Sequence, residues 1–452
     1  MAIGGFDHQS FGQKLNTLVF PAQPIRSIEH LFGRENELNR IEKALFAPGR
    51  QIFIYGDRGV GKSSLAATVA NQYQSADAEY IDVSCSPDAT LSTVVANIAY
   101  QAVKASRIHK VHQRQALSSD LKYLKVDQVT ESTLHDLHKV IHTLLEALEV
   151  LREVSAIHSE KPIVVIDEFD RMKSIEQRNL FADLIKHLGD KNINIKFIFT
   201  GVGRSLEELL GAHQSAIRQL ETIELPRLSW EGRFDILLTA LKEFRISIDR
   251  DIYLRIAAIS DGYPYYVHLI TERLLWRLFE RPEVVSRVNR EDYFDALKDA
   301  IDSISAELKR PYEMAINQRS GDYEEVLWST ADSEFLQRYV KDMYSSYQFI
   351  MNQIPSKQPL DYGKYSNRIR SLKNASCGAI LIPDEYKSGL YSYRENILRG
   401  FVRMQAEANG IKLAGETGGK EEKQYMHVPA RATSGYRGPR IPKGIHFGRK
   451  RK

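Results

Sequence analysis

Cysteine is almost absent: Cys85 and Cys377 are the only two in 452 residues. They lie far apart, with no CxxC pair and no Cys/His cluster of metal spacing. That excludes a disulfide framework or thiolate metal site and makes a reducing compartment the expectation. Long apolar runs are missing too. No window approaches the ~18–20 uninterrupted apolar residues that span a bilayer. The opening MAIGGFDHQSFGQKLN lacks the charged head and apolar run of a secretory signal. A soluble, cytoplasmic protein with no membrane partner is therefore expected. Net charge is also small, at +4, so bulk charge points to no nucleic-acid partner. One stretch departs from this balance. Arg431 to Lys452 holds eight Lys or Arg and no Asp or Glu, either a nonspecific nucleic-acid arm or a solubilising terminus.

What is present is an ordinary globular balance, 43% hydrophobic and 27% charged, in a chain long enough for two or three domains. Residues 1–30 show little periodicity and read as a loosely ordered arm. From Glu37 to Leu45 apolar residues recur at helical spacing, and Pro48-Gly49 ends that helix. Gln51-Ile52-Phe53-Ile54-Tyr55 is a short apolar run stopped by Gly56, a buried strand. Similar runs follow at Tyr80–Val83, Ile163–Asp167, Ile195–Thr200 and Thr222–Leu225, with helical patterns between them. Strands alternating with helices predict an α/β fold with a parallel sheet covered on both faces. Residues 85–160 read as all helical. The series Leu134, Leu137, Ile141, Leu144, Leu145, Leu148 and Leu151 makes one amphipathic helix, a packing surface. After Pro226 the text turns helical, with helices at Trp230–Phe244 and Ile252–Ala258 and a third reaching Phe279. Beyond Glu280-Arg281-Pro282-Glu283 come helices at Phe335–Met351 and Gly363–Asn374. A hairpin at 377–394 completes the order of a winged-helix domain.

The chemistry starts at Gly56 to Ser63, GDRGVGKS. A triphosphate needs many donors converging on a small volume. The pattern GxxxxGK[ST] supplies them: Gly56, Gly59 and Gly61 let backbone N–H groups point inward, with Asp57, Arg58 and Val60 between them, and the next helix aims its positive end at the phosphates. Lys62 is expected on the β/γ-phosphates and the Ser63 hydroxyl on Mg²⁺, with Ser64 following in the same turn. The strand before and helix after are the context that makes the motif specific. The apolar strand Ile163–Ile166 ends in Asp167-Glu168, the form of a Walker B segment. Asp167 would hold Mg²⁺ and Glu168 would polarise the attacking water, which predicts hydrolysis rather than binding alone. ATP/ADP and Mg²⁺ are the cofactors expected.

These segments, with Phe32-Gly33-Arg34-Glu35-Asn36-Glu37-Leu38, FIFTGVG and Asp261-Gly262-Tyr263-Pro264, resemble AAA+-type ATPases of the branch joining the DNA-replication initiators to the STAND signalling ATPases. The resemblance covers about residues 30 to 410. It implies Gly33 and Arg34 beside the adenine and ribose, Thr200 as a sensor of the γ-phosphate or the water, and Arg218 as an arginine finger for a neighbouring subunit, with Arg204 a second candidate. Where the initiators carry a sensor arginine, this chain has Gly262-Tyr263-Pro264-Tyr265-Tyr266, closer to the STAND GxP signature. Pro264 would then touch the nucleotide, His268 one turn on would reach a phosphate, and turnover would be slow and switch-like. The implied layout is an arm (1–30), a P-loop NTPase core (31–226), a helical lid (227–282), a winged-helix domain (283–415) and a basic tail (416–452).

Lys364, Arg368 and Arg370 on one helix, with Lys387 in the wing, could neutralise DNA phosphates. Winged helices in STAND ATPases also pack against the nucleotide domain or meet a protein. Two functions stay open: an ATP-driven homo-oligomeric switch on DNA, in replication, transposition or mobile-element defence, or a nucleotide-gated module that controls an effector protein.

Overall fold

The computed structural model describes residues 3, 5–74, 78–106, 137–202, 218–318 and 321–413. Five parallel strands, β1 (Gln51–Tyr55), β2 (Ile81–Ser84), β3 (Ile163–Asp167), β4 (Lys196–Gly201) and β5 (Leu220–Glu224), lie in the order β2-β3-β4-β1-β5. Around them run α1 (His8–Asn16), α2 (Glu35–Phe46), α3 (Lys62–Tyr73), α4 (Leu91–Ser106), α5 (Leu144–Ile157) and α6 (Ile175–Asp190). Then come α7 (Trp230–Glu243), α8 (Arg250–Ile259), α9 (Pro264–Glu280), α10 (Arg290–Ser303) and α11 (Ala306–Ile316). The described chain continues through α12 (Tyr323–Ala331), β6 (Gln337–Tyr339), α13 (Val340–Met351), α14 (Tyr362–Ser371), β7 (Leu381–Pro383), β8 (Leu390–Tyr393) and α15 (Leu398–Ala408). The last three strands pair antiparallel in the order β6-β8-β7. No helix among the described residues is long and apolar enough to cross a membrane.

Alternation along the strands sends successive side chains to opposite faces of the sheet. Phe53, Val164, Ile166, Phe197 and Phe199 meet α4, α5 and α6 on one face. Ile52, Ile54, Val165, Ile198 and Ile223 meet α2 and α3 on the other. That second apolar cluster continues without a break through α7 to α15, from Ile3 to Leu413.

Three expectations are corrected. The N-terminal arm is ordered where described: α1 is capped by Asp7 and Ser10 in both directions, and Phe11 and Leu15 are fully buried. Phe11 stacks on Phe279 with ring centroids 4.1 Å apart and meets the edge of Trp276 at 4.9 Å. Trp276 and Phe279 lie far along the chain, so local periodicity could not announce them. The single helix expected from Leu134 is interrupted. Leu134 lies outside the described residues, Leu137–Lys139 is a 3₁₀ turn, and α5 begins at Leu144 because Thr143 and Glu146 form a reciprocal capping box. The helix expected from Phe335 starts at Val340, because Gln337–Tyr339 is taken as a strand by the edge of β8.

A buried charge cluster ties the helices together. Asp261, 2% exposed, accepts from Arg227 Nη1 at 2.6 Å and has Arg399 Nε and Arg403 Nη2 within 3.3 and 3.4 Å. The two α15 arginines also donate to the carbonyls of Ala258 (2.7 Å), Ala331 (2.9 Å) and Phe335 (2.9 Å). Removing the one carboxylate leaves three guanidinium groups without their counter-charge. Asp261→Asn keeps the side-chain shape and tolerates the left-handed backbone there (φ 51). It is expected to lower stability by about 3–5 kcal/mol, measured by urea unfolding. A loss below about 1 kcal/mol would show that the cluster does not hold the fold.

Candidate functional site

The phosphate loop runs from the end of β1 into α3. Gly59 (φ 84) and Gly61 (φ 98) adopt the left-handed backbone that side chains resist, and Gly61 is the residue from which α3 starts. The unpaired N–H groups at the first turn of α3 therefore open onto the loop. Lys62 arches back over it, donating from Nζ to the carbonyls of Gly56 and Asp57 at 3.0 and 2.8 Å. Burial pulls the Lys62 ammonium below its ordinary value, while the nearby Asp170 and Asp167 oppose that pull.

The end of β3 meets this loop from across the sheet. Ser63 Oγ donates to Asp167 Oδ1 at 3.1 Å, and the Thr200 hydroxyl donates to the same oxygen. Both contacts follow from topology: β4 lies between β3 and β1, so the ends of all three strands converge. The Glu168 N–H donates to Asp167 Oδ1 (3.0 Å) and Thr200 Oγ1 (3.2 Å). The Glu168 carboxylate turns outward and accepts from Arg171 Nη1 at 2.6 Å, with both side chains about half exposed. A hydroxyl and a carboxylate side by side next to phosphate donors are hard oxygen ligands, and they fit Mg²⁺.

A cavity of about 770 Å³ contains these groups. Arg34, Arg58, Gly59, Val60, Gly61, Lys62, Ser63, Ser64, Asp167, Glu168, Thr200 and Pro264 all line it. Others sit behind or away from it. Gly56 and Asp57 present their carbonyls to Lys62, and Gly33 packs against Gly232 of α7. Arg218 is exposed on the turn before β5, and Arg204 lies outside the described residues. Arg34, expected beside the adenine and ribose, lines the cavity, and its Nη2 donates to the carbonyls of Val60 (2.9 Å) and Pro226 (2.8 Å), bracing the loop. Burial lowers its guanidinium to about 10. His268, expected to reach a phosphate, lines the cavity. Its Nδ1 accepts the Phe20 N–H at 3.3 Å, and burial drives the imidazole down to about 3, so it is neutral.

The residues missed in sequence are those that the tertiary structure delivers. Phe20 to Ile25 form one wall of the cavity, held to α3 by Ile25 N–H to Ser64 Oγ (3.2 Å) and Thr68 Oγ1 to the Ile25 carbonyl (2.9 Å). Glu307, Glu395 and Arg171 line it as well. The only sequence signal for the wall was Pro21 and Pro24, which favour extended chain.

The basic residues of α14 and the following turn divide. Lys364, Arg370 and Lys387 are exposed, Lys364 within 3.6 Å of Asp361 and Arg370 donating to Asn367 at 3.3 Å. Arg368 is half-buried and already paired. It grips Asp322 with two hydrogen bonds, 2.9 and 3.1 Å, and lies over the Tyr323 ring.

Residues 30–198 match the model of the AAA ATPase domain. No curated protein matches the chain. Among solved structures, it is similar to a Walker-type ATPase of Pyrococcus abyssi (15% identity, 84% of this chain and 99% of that one, TM-score 0.47). Others are Cdc6p of Pyrobaculum aerophilum (15%, 87% and 98%, TM-score 0.44) and the Aeropyrum pernix Orc1 protein in complex with DNA (16%, 83% and 93%, TM-score 0.40). Likenesses this distant carry no argument about what the chain does. The match over residues 30–198 includes both the phosphate loop and the Asp167-Glu168 strand. Residues 30–198 thus resemble an AAA ATPase domain, set on a five-stranded parallel sheet of the P-loop NTPase kind.

Proposed function

We propose that this protein binds ATP with Mg²⁺ and hydrolyses it slowly, as a cytoplasmic switch whose C-terminal region reads the nucleotide. The contact between Ser63 Oγ and Asp167 Oδ1 at 3.1 Å, beside Lys62, carries this reading. Two residues 104 positions apart meet there, which supports a metal ion shared between them. The ion would supply charge neutralisation between the β- and γ-phosphates. Lys62 would leave the carbonyls of Gly56 and Asp57 for the phosphates, and the first turn of α3 would donate its N–H groups to them. Glu168, released from Arg171, would accept the proton of the attacking water, and Thr200 would hold Asp167 in place. Pro264 and the wall Phe20–Ile25 would enclose the base.

The order helix, strand, helix, helix, strand, strand from α12 to β8 supports a winged helix. The exposed Lys364, Arg370 and Lys387 support DNA as its client, and the exposed Arg218 supports a role for a neighbouring subunit in a homo-oligomer. A second reading, a nucleotide-gated module acting on an effector protein, is favoured by one observation. Arg368 is consumed within the fold, which leaves a smaller basic face than DNA binding through this helix would use.

Lys62→Ala is expected to weaken ATP binding by at least tenfold, about 1.4 kcal/mol, in a titration with labelled nucleotide. Wild-type affinity in that variant would remove the central claim. Glu168→Gln should retain binding and lose roughly 10²–10⁴-fold in phosphate release, the usual size of a general-base contribution. For the client, reversing Lys364, Arg370 and Lys387 to Glu should weaken duplex-DNA binding in anisotropy titrations. It should also flatten the salt dependence by about one unit of slope per lost phosphate contact. Binding that ignores all three changes would leave the effector reading in possession.

A further inference from the structure

A phosphate loop of the form GxxxxGKS leaves the side chains after its first glycine free of any phosphate-binding demand. In this chain they are matched to the C-terminal region instead. Arg58 Nη1 and Nη2 donate to Glu307 Oε1 and Oε2 at 3.1 and 3.2 Å, a two-pronged pair with the first turn of α11. Asn396 Nδ2 donates to Asp57 Oδ2 at 3.0 Å. Gly59 lies so close to Ile397 that a Cβ would stand 2.5 Å from its Cδ1. The carbonyl of Ile397 is in turn held by the Tyr266 hydroxyl of α9 at 2.8 Å. The loop that should hold phosphate is thus docked on residues more than 240 positions away.

The charges at that contact set up a competition. Glu307 and Glu395 line the same cavity as Arg58, Lys62 and Glu168. A diphosphate held by Lys62 and the start of α3 makes no demand on Arg58. A γ-phosphate adds negative charge beside Glu307 and Glu395, and it offers a guanidinium two oxygens for a bidentate pair, as the carboxylate does. Arg58 and Glu307 are 53% and 70% exposed, so their pair is a weak surface contact that a stronger anion can displace.

We infer that Arg58 is the residue by which this site distinguishes a nucleoside triphosphate from a diphosphate. With a diphosphate it stays on Glu307 and the C-terminal region stays docked. With a triphosphate it turns to the γ-phosphate, Glu307 is left facing that anion, and the contact opens. This rests on the nucleotide reading of the cavity given above.

The test uses the full chain with Mg²⁺, titrated with ADP and with a non-hydrolysable ATP analogue. Glu307→Gln should raise affinity for the triphosphate relative to ADP by roughly two- to fivefold, the size of an exposed pair. Arg58→Gln should lower the same ratio, and adding Glu307→Gln to it should change the ratio by less than Glu307→Gln does alone. Hydrogen exchange at residues 395–397 should rise with the triphosphate and not with ADP. A ratio that Glu307→Gln leaves unchanged, or two substitutions whose effects simply add, would overturn the inference. Nucleotide binding that is still abolished by Lys62→Ala would then leave the nucleotide reading standing; loss of all nucleotide binding by the unaltered protein would instead overturn both.

Discussion

A loop that binds an anion through backbone N–H groups has to leave those groups unpaired, and an unpaired backbone cannot hold its own shape. This constraint organises much of what surrounds Gly56 to Ser63. Arg34 reaches from the start of α2 to the carbonyls of Val60 and Pro226, fixing the loop against the end of the sheet. Lys62 braces it from above through Gly56 and Asp57, and Ile397 closes against Gly59. The donors stay free because side chains from distant elements do the holding that backbone partners do elsewhere.

The same need for outside support explains why helices from Trp230 onward share one apolar cluster with the α3 face of the sheet. Asp261 gathers Arg227, Arg399 and Arg403 immediately before Gly262-Tyr263-Pro264, the segment that meets the phosphate loop. Three cations on one buried carboxylate are costly to separate, so the start of α9 is tied to α15. The contacts on the loop itself are of the opposite kind. Arg58 to Glu307 and Glu168 to Arg171 are exposed pairs of low individual strength. Strong links hold the helices together and weak ones touch the cavity, an arrangement in which a bound anion can alter the second set without disturbing the first.

The N-terminal segment adds a further tie. Phe11 docks α1 on Trp276 and Phe279 of α9, and Ile25 is hydrogen-bonded to Ser64 and Thr68 of α3. Between these anchors Phe20 is held by His268. A segment that begins on α9 and ends on α3 passes along the cavity, so both helices and the wall share one set of contacts.

The sequence by itself determined the parallel α/β core and the glycine loop, and it marked Ser63 and Asp167, which meet there. Each is written in local terms: four-residue apolar runs for strands, glycines at fixed spacing, a hydroxyl after Lys62, and two acids at a strand end. It could not announce the order of α1, the start of β6, or the roles of Arg34, His268 and Arg368. Those depend on partners such as Pro226, Phe20 and Asp322, and no spacing rule links a residue to a partner that the chain brings near only by folding. An arginine on a helix reads as a free cation until the fold sets a carboxylate against it. The phosphate loop was therefore legible in eight residues, while the residues that brace it were chosen by packing.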